Sequence, residues 1–354
     1  MKGILLHGGH GTRLRPLTHT GPKQLLPIAN KPMSEYCIES MKDAGVTEIA
    51  IIIGGIGSNK VREYYGDGEE FNVKITYVKQ DEPLGISHAI NLCRNFIGDE
   101  KFLVFLGDNI IQKKISNFAN QFLKSDDDAS ILLCEVDNPS RFGIVDMHEG
   151  KITKIMEKPK DPPTNFAVTG IYFLTPKIFD IIDNLKPSWR NELEITDALQ
   201  ILLSENNKMS YNIITDYWKD TGTPEDIINA NREILKNKES YFYGEKSNSV
   251  SLTGIVLIEK GTKILGDSQI IGPVIIGKNC ILDNVCIGPN SSIGNNSKIT
   301  NSNIQNSIVM SNCIINTPIK IRNSIISSNS EIEFKNDCQD EKIFLLGEGT
   351  KILI

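Results

Sequence analysis

The first two thirds of the chain alternate between short apolar runs and amphipathic stretches. The apolar runs, which predict strands, lie at 3–6, 48–53, 74–78, 102–106, 130–135 and 168–174. Stretches at 33–44, 85–96 and 115–124 predict helices between them. This alternation predicts an α/β fold with a Rossmann-like, mostly parallel sheet covered on both faces. Ligands of such sheets bind beyond the carboxyl ends of strands, so we expect a site in the loops after Leu6, Val78, Leu106, Val136 and Ile214.

A different periodicity begins after Lys236. Residues 237–249 are polar and predict a linker, and an aliphatic residue then recurs every five or six positions. The residues predicted to stack inward are Ile258, Ile264, Ile270, Ile275, Ile281, Ile287, Ile293 and Ile299, followed more loosely by Ile304, Ile308, Ile314, Ile319 and Ile325. Such a period matches the rungs of a solenoid and resembles the left-handed β-helix of hexapeptide-repeat proteins; the alternative is an unrelated β-rich tail. We expect domains at 1–236 and 250–354, joined by a linker at 237–249.

The composition narrows the class of protein. The 354 residues suffice for two domains, and a net charge of −6 argues against a broad nucleic-acid surface. No apolar run approaches the roughly 20 residues of a membrane span, and Met1 leads straight into a strand. We therefore expect a cytoplasmic protein without nucleic-acid or membrane partners. The seven cysteines, expected to be reduced, form no C-x-x-C pair and are Cys37, Cys93, Cys134, Cys280, Cys286, Cys313 and Cys338.

A glycine-rich loop at residues 7–14 follows the first predicted strand. It contains three glycines, and Arg13 and Lys23 add positive charge. Small residues let backbone amides approach phosphates closely, so the pattern predicts a nucleoside triphosphate site. Neither common fingerprint is present, because Leu14 occupies the position of the third glycine in G-x-G-x-x-G and no Lys-Ser or Lys-Thr closes the loop. As a bare glycine cluster, it is equally typical of a tight strand–helix turn.

Two motifs in this region resemble a known family. The patterns G-G-x-G-T-R-L-x-P-x-T at 8–18 and P-K-x-L-x-P at 22–27 resemble the opening of the sugar-1-phosphate nucleotidylyltransferases, within them most of all the long form of the glucose-1-phosphate thymidylyltransferases. The resemblance implies that residues 1–236 form the catalytic domain, that dTTP and glucose-1-phosphate are the substrates, and that Mg²⁺ is the cofactor. A homo-oligomer is also expected. His7 departs from the family, which usually has alanine there; its side chain either crowds the nucleotide or points away.

Two aspartates are candidate metal ligands. Asp108 ends a predicted strand in L-G-D-N, and Asp220 lies in W-K-D-T-G, before a helix that we expect to be capped by Thr223. Taken alone, each aspartate is more typical of a turn or a cap. Carboxylates at the edge of a sheet suit Mg²⁺, and in the family that these motifs resemble both aspartates bind it. The resemblance thus implies Asp108 and Asp220 as the ligands.

The segments that would bind the sugar phosphate follow. R-F-G at 141–143, E-K-P at 157–159 and N-x-A-V-x-G-I-Y at 165–172 resemble the family's sugar-phosphate segments, although Glu-Lys beside proline is by itself typical of a solvated turn. The resemblance implies that Lys158 binds the phosphate of the sugar. The other implied substrate contacts are Asn109, Gly143, Glu157, Val168 and Glu192. We also expect Thr196 to cap a helix.

Base recognition is assigned to the loop after the third predicted strand. Gln80 offers a paired donor and acceptor, as the N3–H/O4 edge of a pyrimidine requires, although a loop glutamine is ordinarily unremarkable in function. The resemblance implies that Gln80 reads the base and that Gly85 lets it pack flat. The full set of implied nucleotide-binding residues is Leu6, Gly8, Gly9, Gly11, Thr12, Gln24, Gln80, Gly85 and Asp108. Uracil and thymine share this edge, so UTP stays an alternative to dTTP.

The implied reaction is a direct displacement. The phosphate of the sugar attacks the α-phosphorus of the nucleotide and pyrophosphate leaves, with Arg13, Lys23 and Lys158 as the catalytic residues. One alternative is an acetyltransferase in the repeat domain, but all five histidines precede residue 149 and such enzymes commonly use a histidine base. Another is a non-catalytic regulator, and the retention of all these charged residues argues against it. A third is a uridylyltransferase acting on glucose- or N-acetylglucosamine-1-phosphate.

Overall fold

The computed structural model describes residues 1–8 and 11–334, which form two compact units. Of these residues, 1–8, 20–25 and 33–220 belong to the first unit, and 11–19, 26–32 and 221–334 belong to the second. In the part of the chain that is described, no helix combines the length and the apolar character needed to cross a membrane. The domain boundaries at 236 and 250 stay a prediction.

The first 236 residues contain every strand and helix that the apolar pattern predicts. The strands are β1 (Lys2–Leu6), β2 (Pro27–Ile28), β3 (Lys31–Pro32), β4 (Glu48–Ile53), β5 (Lys74–Lys79), β6 (Phe102–Leu106), β7 (Asn109–Ile111), β8 (Ala129–Glu135), β9 (Gly143–His148), β10 (Lys151–Glu157), β11 (Phe166–Leu174), β12 (Met209–Ile214) and β13 (Trp218–Asp220). The helices are α1 (Met33–Asp43), α2 (Ser58–Tyr65), α3 (Ile86–Asn91), α4 (Arg94–Ile97), α5 (Ser116–Lys124), α6 (Lys177–Asp183), α7 (Ile195–Ser204) and α8 (Pro224–Lys236). Short 3₁₀ turns occur at Thr12–Leu14, Lys23–Leu25, Glu69–Phe71 and Pro139–Arg141.

The first unit is built on a nine-stranded mixed sheet. Seven strands lie in the order β10-β9-β11-β6-β1-β4-β5, and β8 and β12 join through β11. The neighbours β6, β1, β4 and β5 are parallel, whereas β11 runs antiparallel to β6, β8 and β9. Alternate residues of β1 enter different cores: Ile4 packs on one face of the sheet and Leu5 on the other. This confirms the predicted fold class, with an antiparallel portion that apolar runs alone do not distinguish.

The second unit contains the repeat region, which is a parallel β-helix. Its strands are β14 (Tyr241–Phe242), β15 (Glu245–Lys246), β16 (Ser251–Thr253), β17 (Val256–Ile258), β18 (Lys263–Leu265), β19 (Gln269–Ile271), β20 (Val274–Ile276), β21 (Ile281–Asp283), β22 (Cys286–Ile287), β23 (Ser291–Ile293), β24 (Lys298–Thr300), β25 (Asn303–Gln305), β26 (Ile308–Val309), β27 (Ile314–Asn316), β28 (Lys320–Arg322), β29 (Ile325–Ile326) and β30 (Glu331–Glu333). Every third strand pairs in parallel, which gives three sheets of six, six and five strands. The left-handed β-helix class is confirmed. The polar segment 237–249 carries β14 and β15, which pair with β17 and β18 of the repeat region.

The phase of the repeat differs from the predicted one. Ile276 and Leu282 face the interior where Ile275 and Ile281 were expected, and Ile281 is 42% exposed. The five-residue step falls between Leu282 and Ile287, because β18 pairs Ile264 with Leu282 and β19 pairs Ile270 with Ile287. Later in the chain, the predictions of Ile308, Ile314 and Ile325 are wrong by one position and that of Ile319 by two, and the inward residues are Val309, Ile315, Ile321 and Ile326.

Stacked asparagines form the corners of the coils. Asn279, Asn296, Asn312 and Asn329 have positive φ angles of 56°, 57°, 62° and 62°, a conformation that asparagine tolerates better than most residues. Their side-chain amides donate along the stack, at 3.3, 3.2 and 3.2 Å from one residue to the next. The repeated asparagines therefore both permit the turns and link successive coils.

Helix α8 joins the β-helix within the second unit. Thr223 caps it as predicted, since its side chain accepts from Asp226 N while the Asp226 carboxylate accepts from Thr223 N. The fully buried Asn231 accepts from Ala29 N at 2.8 Å and from Ser292 Oγ at 2.6 Å. It also donates to the Asn290 carbonyl oxygen at 3.0 Å. One side chain thus connects α8, the β2–β3 turn and the β-helix.

Candidate active site

Asp108 and Lys23 form an ion pair at the carboxyl end of β6. Both side chains are largely buried, and the Lys23 ammonium contacts the Asp108 carboxylate directly. Burial alone would raise the pKa of Asp108, but the charge of Lys23 and hydrogen bonds from Lys23 and Asn109 outweigh it, so the pKa lies below its ordinary value of 3.8. Asp108 is therefore ionised at neutral pH.

Asp220 is brought next to this pair by a short antiparallel ladder. In the pairing of β13 with β7, Asp220 lies opposite Asn109, the residue after Asp108. Asn109 is held from both sides: its Oδ1 accepts from Trp218 Nε1 at 2.8 Å, and its Nδ2 donates to Asp108 Oδ1 at 3.0 Å. Asp108 lies in the turn before β7 and Asp220 ends β13, and their two carboxylates supply the hard oxygen donors that Mg²⁺ prefers, so the donor set fits the predicted metal.

The end of β1 packs tightly behind Asp108. A Cβ on Gly107 would lie 2.8 Å from the Leu6 carbonyl oxygen and 3.1 Å from Gln24 Cγ, so only glycine fits there without a shift. Gln24 is 1% exposed and its Nε2 donates to the Gly8 carbonyl oxygen at 2.9 Å. Its amide nitrogen therefore supports the start of the predicted phosphate loop.

His7 lies in the same packed region. It is 1% exposed, and its ring meets that of Tyr65 edge to face, with centroids 5.9 Å apart. Among residues 1–8 and 11–334, neither ring nitrogen has a hydrogen-bond partner. Burial lowers the pKa of His7 from 6.5 to about 3, and the charge of Asp108 counteracts this only in part. The side chain is thus a neutral imidazole packed in the core.

The remaining predicted residues of the phosphate loop are Gly9, Gly11, Thr12 and Arg13. Gly9 lies outside the described residues, and Gly11, Thr12 and Arg13 belong to the second unit. Gly11 has φ +56° and precedes the 3₁₀ turn that carries Thr12 and Arg13. A Cβ on Gly222 would lie 3.1 Å from Arg13 Nη2, so the guanidinium lies directly over this glycine.

Gln80 and Gly85 lie together beside Gly8. Gln80 is buried, and a Cβ on Gly8 would lie 3.4 Å from Gln80 Oε1. Gly85 has φ +103°, and a Cβ there would lie 2.5 Å from the Leu193 carbonyl oxygen. Gly85 is therefore required by the close approach of Leu193, a reason that is independent of any base packed against it.

Gly143, Glu157 and Val168 converge at the sugar side of the unit. A Cβ on Gly143 would lie 2.5 Å from Thr196 Cγ2, 3.4 Å from Glu157 Oε2 and 3.8 Å from Val168 Cβ. Thr196 Oγ1 donates to Glu157 Oε2 at 3.0 Å, and Lys158 Nζ lies 3.1 Å from Glu157 Oε1. The prediction that Thr196 caps a helix is wrong, because Glu194 is the N-cap of α7. Thr196 lies inside the helix, and its hydroxyl donates a hydrogen bond to Glu157.

Arg190 is a residue of this site that sequence reasoning missed. Its guanidinium contacts three carboxylates: Glu157 at 3.4 Å, Glu192 at 3.0 Å and Glu194 at 3.3 Å. Burial and then the neighbouring charge of Glu157 raise the pKa of Glu194, although Ser188 and Arg190 lower it. The sequence did contain a signal for the local ion pairs, because Arg190 lies two residues before the E-x-E pattern at 192–194. Its partner Glu157, however, is 33 residues away in sequence.

Comparison with known proteins identifies the family of this chain, which is shown by a match over two thirds of its length. Residues 2–237 match the family model "Nucleotidyl transferase", and residues 270–353 match the model "GMPPB C-terminal domain". The low-salt glycan biosynthesis nucleotidyltransferase Agl11 of Haloferax volcanii is 47% identical over 72% of this chain and 71% of its own length. A glucose-1-phosphate thymidylyltransferase of Streptomyces antibioticus is 38% identical over 78% of both chains.

Solved structures show the same likeness. A Bacillus anthracis protein, assigned as a glucose-1-phosphate thymidylyltransferase and solved with sucrose, is 39% identical with a TM-score of 0.64. The match covers 68% of this chain and 98% of that one. A UDP-glucose pyrophosphorylase in complex with UDP-glucose is 29% identical with a TM-score of 0.60, over 67% of this chain and 99% of that one.

Proposed function

Because this chain belongs to the nucleotidyl transferase family, we propose that it transfers a thymidylyl group from dTTP to glucose-1-phosphate, giving dTDP-glucose and pyrophosphate. The observation that carries the proposal is the grouping, within the first unit, of an Asp108–Lys23 pair beside Asp220 and a Glu157–Lys158 pair beside Gly143. The first group suits a nucleotide with a metal ion, and the second suits a sugar phosphate. The likeness to two thymidylyltransferases supports the choice of substrates.

The proposed reaction needs alignment and charge neutralisation. An oxygen of the glucose-1-phosphate phosphate forms the new bond to the α-phosphorus, and the bond from that phosphorus to the pyrophosphate oxygen breaks. The attacking group is already an anion, so no general base is required. Lys158 would hold the attacking phosphate, Lys23 the α-phosphate, and Arg13 the departing pyrophosphate.

Other residues would orient the two substrates. Glu157, held by Thr196 and Arg190, presents its carboxylate to sugar hydroxyls, and Gln80 reads the base. Mg²⁺, held by Asp108 and Asp220, would neutralise charge on the phosphates. We also propose that the protein is a cytoplasmic homo-oligomer.

A second candidate is the same chemistry with UTP. The likeness to a UDP-glucose pyrophosphorylase favours it, as does the N3–H/O4 edge that uracil and thymine share. Both candidates are tested by pyrophosphate release with Mg²⁺, in which dTTP, UTP, CTP and ATP are crossed with glucose-1-phosphate and N-acetylglucosamine-1-phosphate. The highest kcat/KM for dTTP with glucose-1-phosphate is the expected result. A preference for UTP or for the amino sugar would replace the substrate assignment, and no turnover by folded protein would overturn the enzyme assignment.

A further inference from the structure

The side-chain amide of Gln80 has a defined orientation. Its Nε2 lies 3.3 Å from the Gly85 carbonyl oxygen and 3.0 Å from His88 Nδ1. A carbonyl oxygen only accepts, so the NH₂ group of the amide must be on this side. The opposite rotamer would put Gln80 Oε1 against the Gly85 oxygen, where two acceptors repel each other.

His88 completes this arrangement by accepting the second hydrogen bond that the Gln80 amide donates. Because the NH₂ group of an amide only donates, its contact with His88 Nδ1 requires a lone pair on that nitrogen, so the ring proton is on Nε2. His88 sits in the first turn of α3 and is half-buried, whereas its neighbours Ser87 and Ala89 are buried. The packing of α3 therefore depends on those neighbours more than on the imidazole.

The consequence is that Gln80 Oε1 faces away from α3, toward Gly8. With both amide hydrogens engaged, the group offers an incoming base an acceptor only, and the donor to O4 that the paired amide was expected to supply is used within the protein. Thymine and uracil present N3–H at this edge, whereas cytosine presents a lone pair at N3. An acceptor facing a lone pair leaves both groups unpaired, which costs free energy in a buried site.

We infer that His88 is a positioning residue for base selection, because it holds the Gln80 amide with its oxygen toward the nucleotide, so that the pocket takes bases with a donor at N3 and rejects cytosine. The role of His88 rests on the proposed function, because the proposed function assigns recognition of the base to Gln80. The new element is that His88 determines which side of the Gln80 amide, donor or acceptor, faces the base.

Three substitutions test this assignment. His88→Asn keeps an acceptor at the position of Nδ1, His88→Leu removes it, and His88→Lys replaces it with a donor. The readout is the ratio of kcat/KM for dTTP to that for CTP, with glucose-1-phosphate as co-substrate. Each ratio is internal to one protein, so a partly unfolded preparation does not alter it.

The expected order follows from the hydrogen bonds. The ratio in His88→Asn should stay near that of the unaltered protein, and it should fall in His88→Leu, where Gly85 alone still orients the amide. In His88→Lys it should fall by about 10- to 100-fold, the cost of an unpaired buried group. Equal ratios in all four proteins, or a fall in His88→Asn as large as in His88→Lys, would overturn the inference.

A second measurement separates this inference from the proposed function. In protein with ¹⁵N-labelled histidine, long-range ¹H–¹⁵N spectra identify the tautomer of each ring, and the His88 signals are assigned by their loss in His88→Asn. The expected result is a proton on Nε2 and none on Nδ1 at neutral pH. A proton on Nδ1 would overturn the inference even in an active enzyme. If the unaltered protein turned over neither dTTP nor UTP, the proposed function would fail while the tautomer result still stood.

Discussion

The buried His7 makes a quantitative prediction about acid stability. Its pKa is lowered to about 3 in the folded protein, against 6.5 for an unperturbed histidine, and burial is the main cause. Between these two values the unfolded chain binds a proton that the folded chain does not. The stability contributed by the neutral side chain is therefore full above pH 6.5 and is lost as the pH falls toward 3.

The size of the effect follows from the two pKa values. Each pH unit below 6.5 costs about 1.4 kcal/mol in the free energy of unfolding, so a change from pH 7.5 to 5.5 should cost about 1.4 kcal/mol through this one residue. Replacement of His7 by leucine, which does not titrate and has a similar size, should remove this part of the pH dependence. His148→Asn, at a histidine whose side chain is 80% exposed, provides the control for the substitution of a surface histidine.

The first unit contains both tryptophans, which makes the measurement direct. Urea unfolding followed by tryptophan fluorescence reports that unit, since Trp189 and Trp218 both lie in it and Trp218 is buried. The experiment is run without Mg²⁺ at pH 7.5, 6.5 and 5.5 on the unaltered protein and the two variants. Parallel pH profiles for the unaltered protein and His7→Leu would refute the reasoning, because they would mean that the imidazole is charged or partnered in the folded state.

Three further predictions concern the candidate site. Lys23→Met should lower kcat by about 100-fold or more, since Lys23 would act on developing charge, and it should also lower the melting temperature, because it leaves the buried Asp108 carboxylate without its cation; an unchanged kcat in folded protein would contradict this. Gly143→Ala places a Cβ 2.5 Å from Thr196 Cγ2, so it should raise the KM for the sugar phosphate and leave the KM for the nucleotide nearly unchanged, as initial-rate kinetics would show. Asp220→Asn should raise the Mg²⁺ concentration for half-maximal rate by about tenfold or more, and an unchanged Mg²⁺ titration would argue against Asp220 as a ligand.

The β-helix illustrates what a repeat in the sequence does and does not determine. The period of five or six residues was enough to predict the coil, because only a solenoid buries one residue per rung. The phase was wrong at Ile275 and Ile281, since each is followed by a second aliphatic residue that fits the interior equally well. Neighbouring residues of a strand face opposite sides, so an error of one position exchanges the interior of the coil for its outer face. Only pairing with the coils above and below resolves this choice.

In the candidate site too, some residues could be placed from the sequence and others could not. Residues that follow a strand directly, such as Asp108, can be placed from the sequence, because the end of a predicted strand in a parallel sheet defines the edge on which they lie. Contacts that join distant segments cannot be placed. Trp218 and Asn109 are 109 positions apart, and their hydrogen bond depends on the pairing of β13 with β7. Each of these strands has only three residues, and the pattern of apolar runs did not predict either of them.

The segment around Leu193 connects the two halves of the candidate site. Leu193 N donates to the Leu84 carbonyl oxygen at 2.8 Å, its own carbonyl accepts from Ser87 N at 3.1 Å, and Gly85 packs against it. On either side of Leu193, Glu192 and Glu194 contact Arg190, which also contacts Glu157. The loop assigned to the base and the carboxylate assigned to the sugar therefore share one backbone support. Because that support is made of backbone hydrogen bonds and close glycine packing, it tolerates little displacement, and the spacing between the two proposed substrate positions is set by the fold of the first unit itself.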